Sequence, residues 1–349
     1  ERNMNKRFLF QHWLWLCGMA LFLILFSCGF WCYRIVCAPN FFPDKPVYVY
    51  IDERKDWDGL CKALEDSAAC MHLNSFKMLA EWMNYAGHLR TGRYRIRPEM
   101  SNLEVVRMLR NGQQAAVRFT FHSVRTKEDL VEKADKQLML DGSDLTAYLD
   151  DEQWCDSMGF DRATIQLMFI PNTYELYWNV SPRRFLQRMK KEYDRFWDGQ
   201  RTAKAAQIGL TPVEVAILAS IVEEESAVPD EYPTIAGLYI NRLKRGMPLQ
   251  ADPTVKFAVG DMTLRRILNT HLETESPYNT YKHAGLPPGP IRIPSATGID
   301  AVLNYRRHGY LYMCAKDDFS GRHNFSATLG EHNRNAERYR AELNKRKIY

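Results

Sequence analysis

A long uncharged stretch near the start of the sequence limits the possible folds more than any other feature. Residues 8–33, FLFQHWLWLCGMALFLILFSCGFWCY, contain no Asp, Glu, Lys or Arg. A helix needs about 20 apolar residues to cross a bilayer, so this stretch predicts a transmembrane anchor. Because Arg2, Lys6 and Arg7 precede it, the positive-inside rule places residues 1–7 in the cytoplasm and the rest of the chain outside it.

A cleaved signal peptide is the alternative interpretation of this stretch. The apolar core of a signal peptide is usually about 7–15 residues long, which is shorter than the stretch found here. The sequence CAPNFF that follows offers no clear small-x-small cleavage site. An uncleaved anchor is therefore preferred. Residues 34–45 are predicted to form an extended linker, because their prolines disfavour helix.

Residues 46–123 are predicted to form a small domain with a connecting helix and strand. VYVYI at 47–51 has strand character, two amphipathic helices follow within 56–87, and a second strand is expected within 88–97, opened by Gly92. This strand–helix–helix–strand order is that of a LysM-type carbohydrate-binding module. The order alone is common in other folds.

Composition excludes some classes of protein. The 349 residues exceed a typical single domain, and a larger mixed α/β domain is expected over residues 124–349, so the fold class is α+β. The net charge is only +5, and the basic residues are scattered without an arginine–aromatic patch, so nucleic-acid binding is not expected.

The eight cysteines indicate no metal centre and no cofactor. No C-x-x-C pair with a matching partner occurs, so no metal site is expected. Cys61 and Cys70 could form a disulfide in an oxidising compartment, or they could be buried thiols, and the sequence leaves both possibilities open.

The stretch TPVEVAILASIVEEESAV predicts a helix that ends in three glutamates. Thr211 and Glu214 form a capping box at its start. At about 100° per residue, Glu225 extends the apolar stripe of the helix, whereas Glu223 lies nearly opposite. A carboxyl on a buried stripe loses hydration, so its pKa rises and it can serve as a general acid. Alternatively the helix frays at Val222 and water surrounds all three glutamates.

Two further segments are candidates for function. The cluster around Asn172, Tyr174 and Trp178 suits a sugar-binding cleft, because aromatic faces stack on pyranose rings, although an aromatic plug in the core is an equal alternative. SPYNTYKHAGLPPGPIRIPS at 276–295 is too rich in proline and glycine for regular structure and is predicted to be an ordered surface loop.

The C-terminal part of the chain is predicted to contain three regular elements. A helix is expected from Ile235 to Arg245, a hairpin from strands near 310–315 and 323–326, and a final helix over about 328–345.

The motifs LASIVEEES, YINRLKRGMPLQADPTV, SPYNTY, GLPPGPI and YLYMCA occur in this order. Together with GRYRIRPEMSNLEVVRMLRNG and PNTYELY, they resemble the endolytic murein transglycosylase family, which is also called YceG-like. The resemblance covers essentially residues 34–345.

The resemblance implies a single-pass protein of the bacterial inner membrane with a periplasmic catalytic domain over residues 124–349. The family cuts peptidoglycan within glycan strands, between N-acetylmuramic acid and N-acetylglucosamine, leaves 1,6-anhydro-muramic ends, and would thereby stop the elongation of nascent strands. Its partners would be the glycan strands and cell-wall synthesis proteins, and its oligomeric state is open. One glutamate acts as the acid and base, and this position corresponds to Glu225, followed by Ser226.

The matched motifs also imply a set of polar substrate-binding residues around Glu225. These are Asn172, Tyr174, Glu223, Ser226, Gln250, Asp252, Thr254, Ser276, Tyr278, Asn279 and Tyr281. Two of them have simple structural alternatives, because Asp252 could be a turn residue before Pro253 and Asn279 could make a hydrogen bond within its loop. Glu224 stands where the family pattern is often basic, so its charge is expected to raise the pKa of Glu225 slightly.

Two other functions remain open from the sequence. A lysozyme-type muramidase would cut the same bond with water and leave a reducing muramic end. A scaffold without catalysis would bind peptidoglycan through the LysM-like domain alone.

Overall fold

The computed structural model describes residues 2–264 and 266–346. Glu1, Arg265 and residues 347–349 lie outside the described part, so the first residue of the predicted cytoplasmic segment and the last three of the predicted catalytic domain are among those not described.

The described chain is a mixture of helices and short strands, numbered here in chain order. The first elements are α1 Arg2–Val36, β1 Pro39–Phe41, β2 Val47–Ile51, α2 Trp57–Asp66, α3 Leu73–Trp82, β3 Gly92–Ile96, β4 Met100–Ser101, α4 Asn102–Asn111 and β5 Val117–Phe121. They are followed by α5 Lys127–Gln137, α6 Gly142–Asp150, α7 Glu152–Ser157, β6 Asn172–Leu176, α8 Pro182–Phe196, α9 Gly199–Ile208 and α10 Pro212–Glu225. The last elements are α11 Tyr232–Lys244, α12 Asp252–Val259, α13 Asn269–Leu272, α14 Ala296–Leu303, β7 Tyr312–Ala315, β8 His323–Ser326 and α15 Leu329–Lys345.

These elements divide into two compact units. Unit 1 comprises the residues up to Val117 together with 175–179, and unit 2 comprises Arg118–Tyr174 and the residues from Val180 onward. The predicted boundary lay between residues 123 and 124.

The N-terminal apolar stretch lies in one helix, α1. Its segment His12–Val36 has a mean hydropathy of 2.1, and none of the apolar window is buried inside the protein. A membrane anchor and a signal sequence both have these properties. The chain therefore has one N-terminal apolar helix that is long enough to cross a membrane.

Unit 1 has the predicted strand–helix–helix–strand order, which is thereby confirmed. β2 pairs with β3 in antiparallel register, from Val47 opposite Ile96 to Ile51 opposite Gly92. Alternation along β2 buries Val49 and Ile51 against the helices and exposes its tyrosines.

The segment predicted as an extended linker, 34–45, is partly folded into unit 1. Residues 39–41 form β1, which pairs with β4. Phe41 is fully buried and meets the ring of Phe76 edge-on at 6.0 Å between centroids. Burial of the apolar Phe41 side chain draws this segment into the core despite its prolines.

Unit 2 is built around α10. Thr211 and Glu214 form the predicted capping box, with both reciprocal hydrogen bonds present. α10 packs against α9, α11, α12 and α14, and every residue from Val215 to Glu223 is buried. The prediction that α10 buries only one apolar side was wrong, because neighbouring elements enclose the helix on all sides.

The segment 276–295 lacks helix and strand, as predicted, but it is only partly a surface loop. Ile291 and Ile293 are buried, and the backbone N–H of Ile291 donates to Ser220 Oγ of α10 at 3.1 Å. Its C-terminal part therefore packs on the central helix, and a side chain of that helix satisfies its backbone.

The predicted C-terminal hairpin and final helix are confirmed. β7 and β8 pair in antiparallel register, from Tyr312 opposite Ser326 to Ala315 opposite His323. α11 starts three residues earlier than predicted, at Tyr232, because proline near the first turn is compatible with helix.

Candidate active site

A cavity of about 420 Å³ lies at the C-terminal end of α10 in unit 2. Helix α11, the turn before α12, the β7–β8 hairpin and the start of α15 complete its walls. The polar side chains of its lining include Glu225, Tyr239, Arg242, Gln250, Asp252 and Tyr281. The cavity therefore collects residues from separate parts of the chain around the last residue of α10.

Glu225 presents a carboxyl with an altered acidity to this cavity. Protein atoms surround the carboxyl, and the loss of hydration raises its pKa to about 7. Tyr239 OH donates a hydrogen bond to Glu225 Oε1 at 2.5 Å, which opposes the rise because it stabilises the ionised form. The cations Arg242 and Lys256 also oppose it, whereas the negative charge of Asp252 adds to it. The carboxyl can thus hold a proton near neutral pH and can also release it.

A second carboxyl, that of Asp252, lines the same cavity. Asp252 is the first residue of α12, and its side chain is exposed. Tyr281 OH donates to Asp252 Oδ1 at 2.6 Å. The cavity therefore contains two carboxyls, and each of them accepts a hydrogen bond from a tyrosine.

Arg242 is buried and fixes the geometry of the cavity wall. Its guanidinium donates to the carbonyl oxygens of Leu311 and Leu249, both at 2.7 Å, and to Gln250 Oε1 at 3.3 Å. Gln250 has the left-handed φ of 49°, and its N–H donates to the carbonyl of Thr280. One arginine thus holds both the turn before α12 and the start of the hairpin.

Glu231 joins the end of α10 to the hairpin. Its carboxylate accepts from Ser226 Oγ at 3.1 Å and from the backbone N–H of His323 at 2.9 Å, and it lies 3.0 Å from His323 Nδ1. Burial works to raise the pKa of Glu231, but the hydrogen bonds of His323 and Ser226 outweigh it and lower the value. His323 itself lines the cavity.

Comparison with known proteins places this architecture in a family. Residues 49–338 match the model of the YceG-like family. The chain belongs to the YceG-like family. This confirms the resemblance drawn from the motifs, and it confirms a mixed α/β fold that contains a YceG-like domain.

Curated relatives of this YceG-like chain carry one name. It is 43% identical over 129 residues to the endolytic murein transglycosylase of Bacillus subtilis strain 168, covering 37% of this chain and 35% of that protein. It is 25% identical over 331 residues to the endolytic murein transglycosylase of Streptococcus pneumoniae serotype 2 strain D39, covering 86% of this chain and 60% of that protein. The chain thus spans between about one third and three fifths of the length of these relatives.

A solved structure supports the fold. A yceG-like protein from Listeria monocytogenes superposes with a TM-score of 0.55 at 26% sequence identity, over 83% of this chain and 99% of that one.

The other two glutamates of the run face away from the cavity of this YceG-like protein. Glu223 Oε1 accepts from the N–H and the hydroxyl of Ser295 at the start of α14. A Cβ at Gly298 would lie 2.3 Å from that oxygen, so any larger residue there would displace the Glu223 carboxylate. Glu224 accepts from Arg125 at 3.0 Å and from Arg292 at 2.8 Å.

These contacts correct the electrostatic expectation for Glu224. Two guanidinium groups compensate its charge, and the carboxylate that raises the pKa of Glu225 is Asp252. They also correct the orientation of Glu223, which was placed opposite the apolar side but is more buried than Glu225.

Several predicted substrate-binding residues lie in the walls behind the cavity. Thr254 is fully buried and shares a hydrogen bond with Thr280 at 2.8 Å. Asn279 donates to the carbonyls of Leu272 and Thr274, the hydrogen bonding within the loop that was the alternative for this residue.

Ser276 and Tyr278 shape the same loop. Ser276 Oγ accepts from the N–H of Tyr278 at 3.2 Å, and the Tyr278 ring packs on Phe257 at 4.7 Å. Within the described part of the chain, neither residue is among those lining the cavity.

Tyr174 and Asn172 lie on β6, a strand that the sequence did not predict. Tyr174 is buried, its ring stacks on Phe121 at 5.8 Å, and its hydroxyl donates to the carbonyl of Ile170 at 2.5 Å. Asn172 is exposed at the start of the strand. The structure thus places Tyr174 in an aromatic core, the alternative to a sugar-binding cleft.

The cavity contains functional candidates that sequence reasoning missed. Tyr239 and Arg242 lie within the motif YINRLKRGMPLQADPTV, and His323 begins the second strand of the predicted hairpin, but nothing in their spacing relates them to Glu225. Among the residues that the structure describes, no group of three or more His, Cys, Asp or Glu side chains could hold a metal ion. Cys61 and Cys70 are buried free thiols, and burial raises the pKa of Cys70 to about 11.

Proposed function

We propose that this chain is an endolytic lytic transglycosylase that cleaves peptidoglycan between N-acetylmuramic acid and N-acetylglucosamine and leaves 1,6-anhydro-muramic ends. The relatives named endolytic murein transglycosylase support this assignment. The observation that carries it is the Glu225 carboxyl, which lies in a cavity and whose pKa is raised to about 7. A carboxyl of this acidity can give and take a proton at neutral pH.

In the proposed reaction, protonated Glu225 gives its proton to the glycosidic oxygen as the bond from C1 to that oxygen breaks. Positive charge then develops on C1 and the ring oxygen. The carbonyl oxygen of the sugar's own acetamido group can help to stabilise this charge. The Glu225 carboxylate finally takes the proton of the 6-hydroxyl as O6 bonds to C1. Ring closure is intramolecular, so it has a large effective molarity over attack by water.

Tyr239 orients Glu225 during the proposed reaction. Because its hydroxyl occupies Glu225 Oε1, the transferable proton belongs on Oε2. Burial, together with the adjacent Glu225, raises the pKa of the phenol well above its usual value, so Tyr239 remains a hydrogen-bond donor throughout. Glu225 is thereby oriented without an ion pair.

The remaining substrate contacts are assigned to the polar residues that share the cavity. Gln250, Asp252 and Tyr281 line it directly. Ser226 acts through Glu231 on the hairpin, and Thr254, Ser276, Tyr278 and Asn279 support the walls. Glu223 instead holds the start of α14 on the side away from the cavity.

We also propose that α1 anchors the protein in the bacterial inner membrane and that residues 1–7 are cytoplasmic. The apolar segment His12–Val36 supports an anchor, and the preceding basic residues support this orientation. Unit 1 would serve as a LysM-like glycan-binding module, which its strand–helix–helix–strand order supports. An alkaline phosphatase fused after Tyr349 should be active if this orientation is right, and an inactive fusion would reverse it.

The function is tested by digesting purified peptidoglycan strands with the full-length protein and measuring product masses. Products with 1,6-anhydro ends from within the strands are expected. Reducing muramic ends would instead identify a muramidase, and no cleavage would indicate a binding scaffold. Glu225→Gln serves as the inactive control, because glutamine has nearly the same shape and cannot donate an acidic proton.

A further inference from the structure

The cavity that contains Glu225 has a second carboxyl with a different environment. Asp252 lies at the N-terminus of α12, and its side chain is exposed to the cavity. Tyr281 donates to Oδ1 at 2.6 Å, and no hydrogen bond to Oδ2 occurs within residues 2–264 and 266–346. Oδ2 is therefore available to a group bound in the cavity.

The surroundings of Asp252 suit a carboxylate that faces a developing positive charge. Tyr281 donates to one of its oxygens, and its position in the first turn of α12 suits an acidic side chain. Its charge reaches Glu225, since it contributes to the raised pKa of that residue. Two carboxyls that line one cavity and differ in their surroundings are the arrangement that many glycosidases use.

We propose that Asp252 is a second catalytic carboxylate, whose Oδ2 stabilises the positive charge that develops at C1 of the muramic acid. This inference rests on the proposed function and revises the one-carboxylate site suggested by the resemblance. Asp252 forms no covalent bond in this scheme. The proton passes from Glu225 to the leaving oxygen, O6 forms its bond to C1, and the O6 proton returns to Glu225, so the atoms and charges balance.

Tyr281 is the corresponding positioning residue. Its hydroxyl fixes Oδ1, so that Oδ2 faces the bound sugar. Burial, together with the Asp252 carboxylate, raises the pKa of the Tyr281 phenol, so this side chain remains neutral and continues to donate.

Other charged and titratable groups surround the two carboxyls and contribute to the pH dependence. Arg242 of α11 and Lys256 of α12 favour ionised Glu225, and Asp252 disfavours it. The remaining titratable side chains that line the cavity are Tyr239, Tyr281, Tyr312, Cys314, His323 and His332.

The test compares Asp252→Asn with the unmodified full-length protein by the rate of anhydro-end formation. We expect kcat to fall about 10²-fold, the usual cost of losing one electrostatic stabiliser of a transition state. KM should change little, because the charge at C1 exists only during the reaction. The basic limb of the pH profile should move to lower pH, since removing the neighbouring negative charge lowers the pKa of Glu225.

Two further variants separate catalysis from structure. Tyr281→Phe keeps the Asp252 carboxylate but removes the hydrogen bond that orients it. This variant should therefore lower kcat less than Asp252→Asn does. Combining the two substitutions should lower kcat little beyond the effect of Asp252→Asn alone. Asp261→Asn changes the same residue type just beyond the other end of α12 and should leave kcat and the pH limb unchanged. A helix-stabilising role alone would give a lower melting temperature in Asp252→Asn with normal kcat and an unmoved limb.

The outcomes also distinguish this inference from the proposed function. If the unmodified protein forms no anhydro ends, the proposed function fails. If it forms them and Asp252→Asn forms them equally fast, the function stands and the second carboxylate is refuted.

Discussion

The two faces of α10 near its C-terminus place neighbouring glutamates in opposite electrostatic environments. On one face, Glu224 accepts hydrogen bonds from Arg125 and Arg292, and its side chain is 14% exposed. On the other face, Glu225 accepts from the neutral Tyr239, and no Lys or Arg of the described chain lies within salt-bridge distance of it. Burial by itself therefore does not identify the acid, since Glu223 is more buried than Glu225. The identity of the partner, a guanidinium or a phenol, separates the structural carboxylate from the one that can keep a proton.

The largest expected effect compares Glu225→Gln with Glu223→Gln in strand cleavage. The Glu225 variant should lose at least about 10³-fold in activity, within the range that general acid catalysis contributes. The Glu223 variant should lose far less, because an amide oxygen can still accept from Ser295. Circular dichroism checks that both variants are folded. An inactive Glu223 variant beside an active Glu225 variant would reverse the comparison.

The second effect is on stability and has a definite pH dependence. The pKa of Glu225 is about 7 in the folded protein, against 4.5 for an unperturbed glutamate. Below pH 4.5 the carboxyl is protonated in both states. As pH rises through 4.5 towards 7, the unfolded chain releases the proton first, so the folded state loses stability, on the order of 3 kcal/mol in total.

Glu225→Gln removes the titrating carboxyl and with it this pH dependence of stability. The variant should therefore be more stable than the unmodified protein at about pH 8, and the difference should vanish at about pH 4. Urea unfolding of unit 2 at a series of pH values measures it. A stability difference that is constant with pH would mean that the carboxyl is ordinary in acidity.

Local signals in the sequence were sufficient for the elements that local chemistry specifies. The Thr211–Glu214 capping box, the alternation in VYVYI and the hairpin strands all have short-range causes. The environment of Glu225 depends instead on Tyr239 and Asp252, which reach it only through tertiary packing. A helical wheel cannot supply such partners.

The residues whose placement differs from expectation have the same physical explanation. Tyr174 can be buried in the core because its hydroxyl donates to the nearby carbonyl of Ile170, so its polar group has a partner. The segment around Ile291 became buried because Ser220 accepts from its backbone. In both cases one hydrogen bond makes burial possible, and neither partner can be identified from periodicity.

A smaller effect is expected when the phenol hydroxyl beside Glu225 is removed. Tyr239→Phe deletes the hydrogen bond to Glu225 Oε1, which stabilises the ionised form. The pKa of Glu225 should rise, and the basic limb of the activity profile should move upward by roughly one unit. The limb is measured from anhydro-end formation against pH. Movement to lower pH would show that the phenol stabilises the protonated carboxyl instead.

The smallest expected effect concerns Glu224, whose charge the sequence predicts to raise the pKa of Glu225. Arg125 and Arg292 both bind this carboxylate, so its field at Glu225 is largely compensated by their charges. Glu224→Gln should therefore lower stability through the lost ion pairs, yet shift the basic limb by only a few tenths of a unit. Asp252→Asn, which removes an uncompensated charge inside the cavity, should shift it further. A larger shift of the limb in the Glu224 variant would show that the ion pairs with Arg125 and Arg292 do not compensate the Glu224 charge. The two faces of α10 would then not differ in the way described.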